Sequence, residues 1–141
     1  MTAKKNPLVI LVAARKLISD FDHWVVGEYE TTHYITVGKG KAKKQIEVTC
    51  WCSDGALRKA AGLDADPPEG GYDETEELFR ARQILALVEH DGNKYVPDLG
   101  EEGSKERIIA FNDDFDYTRA NHKKLLQVWD KAIRVAKLIG V

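Results

Sequence analysis

The stretch YETTHYITVGKGKAKKQIEVTCWCSDGAL, residues 29–57, decides the class of fold. Tyr29 to Val37 and Gln45 to Trp51 are rich in Thr, Val, Ile and aromatic side chains, which suit a pleated surface. Gly38-Lys39-Gly40-Lys41-Ala42-Lys43-Lys44 lies between them as a basic loop, so the pair is predicted to form a β-hairpin. In the second strand Ile46, Val48 and Cys50 share one face, opposite Glu47, Thr49 and Trp51. That alternation is the pattern of a half-buried sheet. A helix is expected directly behind the hairpin, from Ser53 to Ala61, with Gly62 as its C-terminal stop.

Outward from this stretch the chain reads as helical. Asn6-Pro7 is an N-cap followed by proline at the first helical position. Ile10, Ala13, Ala14, Leu17 and Ile18 then recur on one face up to Ser19. Asp20 to His23 ends that helix, and Trp24-Val25-Val26-Gly27 reads as an anchored turn whose Trp plugs the core. Past the turn-rich connection 64–72, a helix from Glu74 to Glu89 presents Leu78, Ala81, Leu85 and Val88. Asp73 and Glu76 are spaced as a capping box at its start. Residues 90–104 read as irregular, and Lys105 to Phe111 as a short helix. From Thr118 to Ile139, His122, Leu125, Leu126, Trp129, Ala132, Ile133 and Ala136 recur at helical spacing. No βαβ alternation occurs. The expected class is therefore α+β: a mainly helical single domain, residues 1–141, with one hairpin or small antiparallel sheet.

Composition narrows the function. The chain has 141 residues, 43% hydrophobic and 31% charged, enough for one core that needs neither disulfide nor metal. The longest apolar run, Leu8 to Ala14, falls far short of the ~18 residues of a membrane span. Cys50 and Cys52 are too close to staple a loop, so a reducing, cytoplasmic setting is expected. The net charge of −2 hides a segregation, +3 over residues 1–50, −6 over 51–100 and +1 over 101–141. That balance leaves no general basic footprint for nucleic acid. Only Lys39, Lys41, Lys43 and Lys44 cluster, and they are the candidate phosphate contacts.

Few groups are placed for chemistry. Cys52 is expected beside the first turn of a helix, where free amides favour a thiolate. As a hydrolase nucleophile it would need a base and an orienting group, for which His122, His90 and Asp113 are the candidates. The four histidines lack zinc-ligand spacings. Asn112, Asp114 and Asp116 mimic the opening of a calcium loop, but Tyr117 and Lys123 stand where Gly and Glu are required. No metal site or cofactor is read. The acidic loop is expected to cap the final helix together with Thr118. Trp24, Trp51 and Trp129 are expected as core anchors.

In order along the chain come Ala14-Arg15, Trp24-x-x-Gly27, Trp51-Cys52-x-x-Gly55-Ala56-Leu57, Phe111-Asn112-Asp113 and Thr118. They are followed by a helix of Leu125, Leu126, Ala132 and Ile133. This order resembles an uncharacterised family of small bacterial and bacteriophage proteins, a domain of unknown function, over about Ala14 to Ala136. Residues Gly38 to Lys44 look like an elaboration on the family pattern. The resemblance carries no activity to any residue and implies a prophage or mobile-element setting. Trp24, Gly27, Trp51, Cys52, Gly55, Asn112, Asp113 and Thr118 lie at element boundaries, where backbone groups need partners. They are expected to converge on one polar and aromatic centre, as a structural knot or as a ligand pocket. The resulting expectation is a non-enzymatic accessory protein that binds a protein or small-molecule partner. A Cys52 hydrolase is the second reading, and nucleic-acid binding through the lysine loop the third.

Overall fold

The computed structural model describes residues 6–69, 73–89, 105, 108–109, 111–113 and 116–141. Helix α1 (Pro7–Leu17) starts where the Asn6 side chain accepts from Val9 N at 2.8 Å. Its Ile10, Leu11 and Ala14 are buried, as is Ile18 just beyond. A 3₁₀ turn, Phe21–His23, then delivers Trp24 into the core, fully buried.

Strands β1 (Glu30–Val37) and β2 (Lys44–Trp51) pair antiparallel, from Glu30 opposite Trp51 to Val37 opposite Lys44. Trp24 adds one parallel bridge to Trp51, with Val25 N donating to Trp51 O at 3.0 Å. The chain runs on through Cys52 into α2 (Ser53–Ala60), and Gly62, at φ +89°, turns it away afterwards. Helix α3 (Glu76–Glu89) buries Leu78, Ala81, Leu85 and Val88. Residues 105, 108–109 and 111–113 are helical as well. Helix α4 (Arg119–Ile139) is capped by Thr118, which accepts from Asn121 N at 3.1 Å. α1 packs on α2, α3 and α4, and α3 on α2 and α4. Leu57, Leu85, Leu125 and Trp129 fill the centre, each large buried side chain contributing about 2 kcal/mol of transfer free energy. The fold is α+β, helices with a two-stranded antiparallel sheet.

Three local expectations are corrected. The sheet is half-buried only at its base: Val48 and Cys50 are covered, but Ile46 on the same face is exposed. Among the described residues no helix packs behind the outer part of the ribbon, and no residue from 25 to 47 is buried. Asp73 does not cap α3. Thr75 does, accepting from Leu78 N at 3.3 Å, because Asp73 and Glu74 are drawn to arginine side chains instead. Trp51 packs on the core from its edge and is only half-buried, with its ring against His23 at 6.2 Å between centroids. The expected irregular segment 90–104, with His90, and Asp114 of the acidic loop lie outside the described residues.

Candidate functional site

Asn112 joins three distant parts of the chain. Its Oδ1 accepts from Trp24 Nε1 at 2.8 Å, from Ser53 N at 3.1 Å and from Ser53 Oγ at 3.0 Å. Its Nδ2 donates to Val25 O at 3.0 Å and to Asp113 Oδ1 at 3.1 Å. The partners fix which way the amide faces, since three donors need an oxygen and a carbonyl and a carboxylate need an N–H. Asp113 Oδ1 also accepts from Gly27 N at 2.9 Å, and Trp129 Nε1 reaches Ser53 Oγ at 3.4 Å. Asn112 and Asp113 therefore do not cap α4. They tie a helical turn to the Trp24–Gly27 segment and to the start of α2.

Around this hub lies an aromatic layer. Trp24 has Tyr117 at 5.5 Å and His122 at 5.4 Å, and Phe21 stacks on Tyr117 at 4.5 Å. His122 Nε2 lies 2.7 Å from Ile18 O. A carbonyl only accepts, so Nε2 carries the proton and is occupied. Thr118 stands apart from the hub on the surface, at the α4 cap. Gly55 serves the same junction sterically. A Cβ there would stand 2.8 Å from the Tyr29 carbonyl carbon and nearer still to its oxygen.

Cys52 overturns the expectation of an activated thiol. It is the N-cap of α2, and its sulfur accepts from Gly55 N at 3.4 Å. Burial nonetheless pushes its pKa up to about 12, outweighing the helix amides, and the Asp54 carboxylate adds to the rise. Desolvation of a thiolate is costlier than two weak amide contacts repay. Cys50, which donates to Thr31 O at 3.4 Å, is raised too, mainly by burial. Of the partner candidates, His122 serves Ile18 and Asp113 serves Gly27, while His90 lies outside the described residues.

The sequence reading missed a buried charge cluster beside this junction. Arg82 is fully buried between Asp54, with Nε to Oδ1 at 2.7 Å, and Glu74, with Nη1 to Oε1 at 2.7 Å. Arg58, also fully buried, pairs with Asp73 and Glu74 and donates from Nε to Asp64 O at 2.9 Å. Burial pushes the Glu74 carboxyl up, but Arg82 and Arg58 hold it below its ordinary range; Arg58 holds Asp73 low as well. The signal was present in the sequence. Arg82 falls in phase with the apolar stripe Leu78, Ala81 and Leu85, and the chain's acidic middle supplies its partners.

Lys39, Lys41, Lys43 and Lys44 are all exposed at the far end of the hairpin, around a 3₁₀ turn at Gly40–Ala42. Among the described residues no cluster of His, Cys, Asp and Glu could hold a metal ion, and no helix is long and apolar enough to cross a membrane. An open cleft of about 520 Å³ lies between α1, α2 and the end of β2, with His23 and Trp51 on its wall. Comparison with curated proteins and with solved structures finds no match. A family model, that of a family of unknown function, matches residues 2–135.

Proposed function

The chain belongs to the family of unknown function DUF6197, and from that premise we propose that it is a non-enzymatic interaction protein of phage or prophage type. It works in the cytoplasm as one domain and uses its hairpin as the contacting arm. The observation that carries the reading is the arm itself. No residue from 25 to 47 is buried, Tyr34 is 67% and Ile46 37% exposed, and four lysines surround the tip. A lone two-stranded ribbon is marginal in water, so a projecting one contributes little to the core. Its side chains suit a partner with an acidic, partly apolar surface. The used-up state of Cys52, His122 and Asp113 supports a binding role over a hydrolytic one.

The test replaces residues 38–43 by Asn-Gly, a turn that closes a two-residue hairpin. The variant should keep its circular dichroism and thermal midpoint, and should lose the partner that the unaltered protein captures from its host. Capture of the same partner by both proteins overturns the arm. Clustering of the lysines at an exposed tip favours nucleic acid as the second reading, because a two-stranded ribbon fits the major groove. That reading requires gel retardation at low salt with a steep loss as salt rises. The hydrolase reading requires iodoacetamide to label Cys52 in the folded state near neutral pH.

A further inference from the structure

The open cleft between α1, α2 and the end of β2 joins the half-covered edge of the core to two lysines and a histidine. Its floor includes Ala13 and Leu17, which sit in phase with the buried stripe of α1 yet remain only half-covered. Its wall is His23 lying over Trp51, interplanar angle 25°. His23 Nδ1 lies 2.7 Å from Thr49 O and must donate there, which holds the ring in place and leaves Nε2 for another partner. Lys16 of α1 and Lys59 of α2 stand on the rim, both exposed.

A lysine in the last turn of a helix is ordinary, because the helix dipole favours a cation there. Two helices bringing theirs to one cleft is a different matter. Among the described residues neither lysine makes an ion pair and no carboxylate lines the cleft. In a chain with more acidic than basic residues, this is a local field for an anion next to apolar and aromatic surface. The size lies in the range of small-molecule sites, roughly 300–1,000 Å³.

We propose that this cleft binds a small organic anion with a flat ring. The acidic group sits between Lys16 and Lys59, and the ring lies against His23, Trp51 and Leu17. A phosphate or a carboxylate meets the lysines equally well, since ammonium groups act as point charges. The ring supplies apolar contact that a bare inorganic ion cannot.

The test is a titration of the full chain with adenosine monophosphate and, separately, benzoate, followed by ¹H–¹⁵N NMR. One or both should shift the Trp51 indole signal and the amides of residues 13–23 and 59–60, saturably and up to about 10 mM, where a millimolar site fills. Adenosine and inorganic phosphate should act at least tenfold more weakly. The double variant Lys16→Gln/Lys59→Gln, at exposed positions that leave the fold intact, should weaken binding about tenfold, the worth of two half-exposed charge contacts. Absence of shifts with both probes overturns the site. So does equal binding by the double variant, or shifts confined to the hairpin lysines, which would be diffuse attraction of phosphate.

Discussion

Asn112 accepts from three donors and gives to two acceptors, so removing its amide leaves several buried groups without partners at once. Asn112→Ala should cost about 3 kcal/mol in urea unfolding, since each buried polar group left unpaired costs about 1–3 kcal/mol. Trp24→Phe in that background should add much less than it does alone, because both changes break the same bond. Gly55→Ala should be comparably severe for another reason. The Tyr29 carbonyl occupies the space a methyl needs, and backbone cannot turn aside as a side chain does; an overpacked site costs about 3 kcal/mol. The sequence marks both positions, Asn112 beside an acidic loop and Gly55 after a strand. The order of the motifs puts both in one expected centre but does not name the atoms they meet, because Trp24 is 88 residues from Asn112 and no local rule specifies a bond over that span.

Helices α2 and α3 are joined by charge in a place where apolar contact would be expected. Arg82→Leu would leave Asp54, fully buried, without its cation, and should destabilise by about 3–5 kcal/mol. The paired change Asp54→Asn with Arg82→Leu should recover part of that loss, measured in the same unfolding experiment. Periodicity located α3, since Leu78, Ala81 and Leu85 announce a buried face whatever lies next to them, and the Gly62 stop after the hairpin located α2. It misassigned Asp73, because a carboxylate three residues before Glu76 fits a capping box and says nothing of an arginine arriving from α2. The hairpin shows the converse. Alternation in β2 predicts strand correctly, since that follows from local shape, but implies a buried face along its whole length. Burial depends on what packs behind it, and from Val48 toward the tip residues 44–47 are exposed.

For the molecule as a whole, the acidic middle of the chain is partly spent on two arginines, and this sets its response to acid. Glu74 and Asp73 are held below their ordinary values of 4.5 and 3.8 in the folded state. A lowered carboxylate contributes stability that is complete above the unfolded pKa and is lost as pH falls through the folded one. Stability should therefore be level above about pH 5 and decline below 4.5. Urea midpoints from pH 7 to pH 3 measure this, and Arg82→Leu should flatten the decline. The buried thiol responds to the same unfolding: iodoacetamide labelling of Cys52 at pH 7 should follow the rate of opening, because a thiol raised to about 12 is almost wholly protonated.

The Asn112 hub also imposes an order on the making of the protein. Trp24, Ser53 and Ile18 wait for Asn112 and His122, which are 88, 59 and 104 residues away. Long closures of this kind are slow to form. A chain emerging from the ribosome cannot complete its centre until α4 has followed. Until then an indole, a serine and a carbonyl remain open to solvent or to a chaperone. The N-terminal half thus lacks its central partners until the segment carrying Asn112 and His122 is present, and closure of the centre waits on that segment more than on collapse of the early helix.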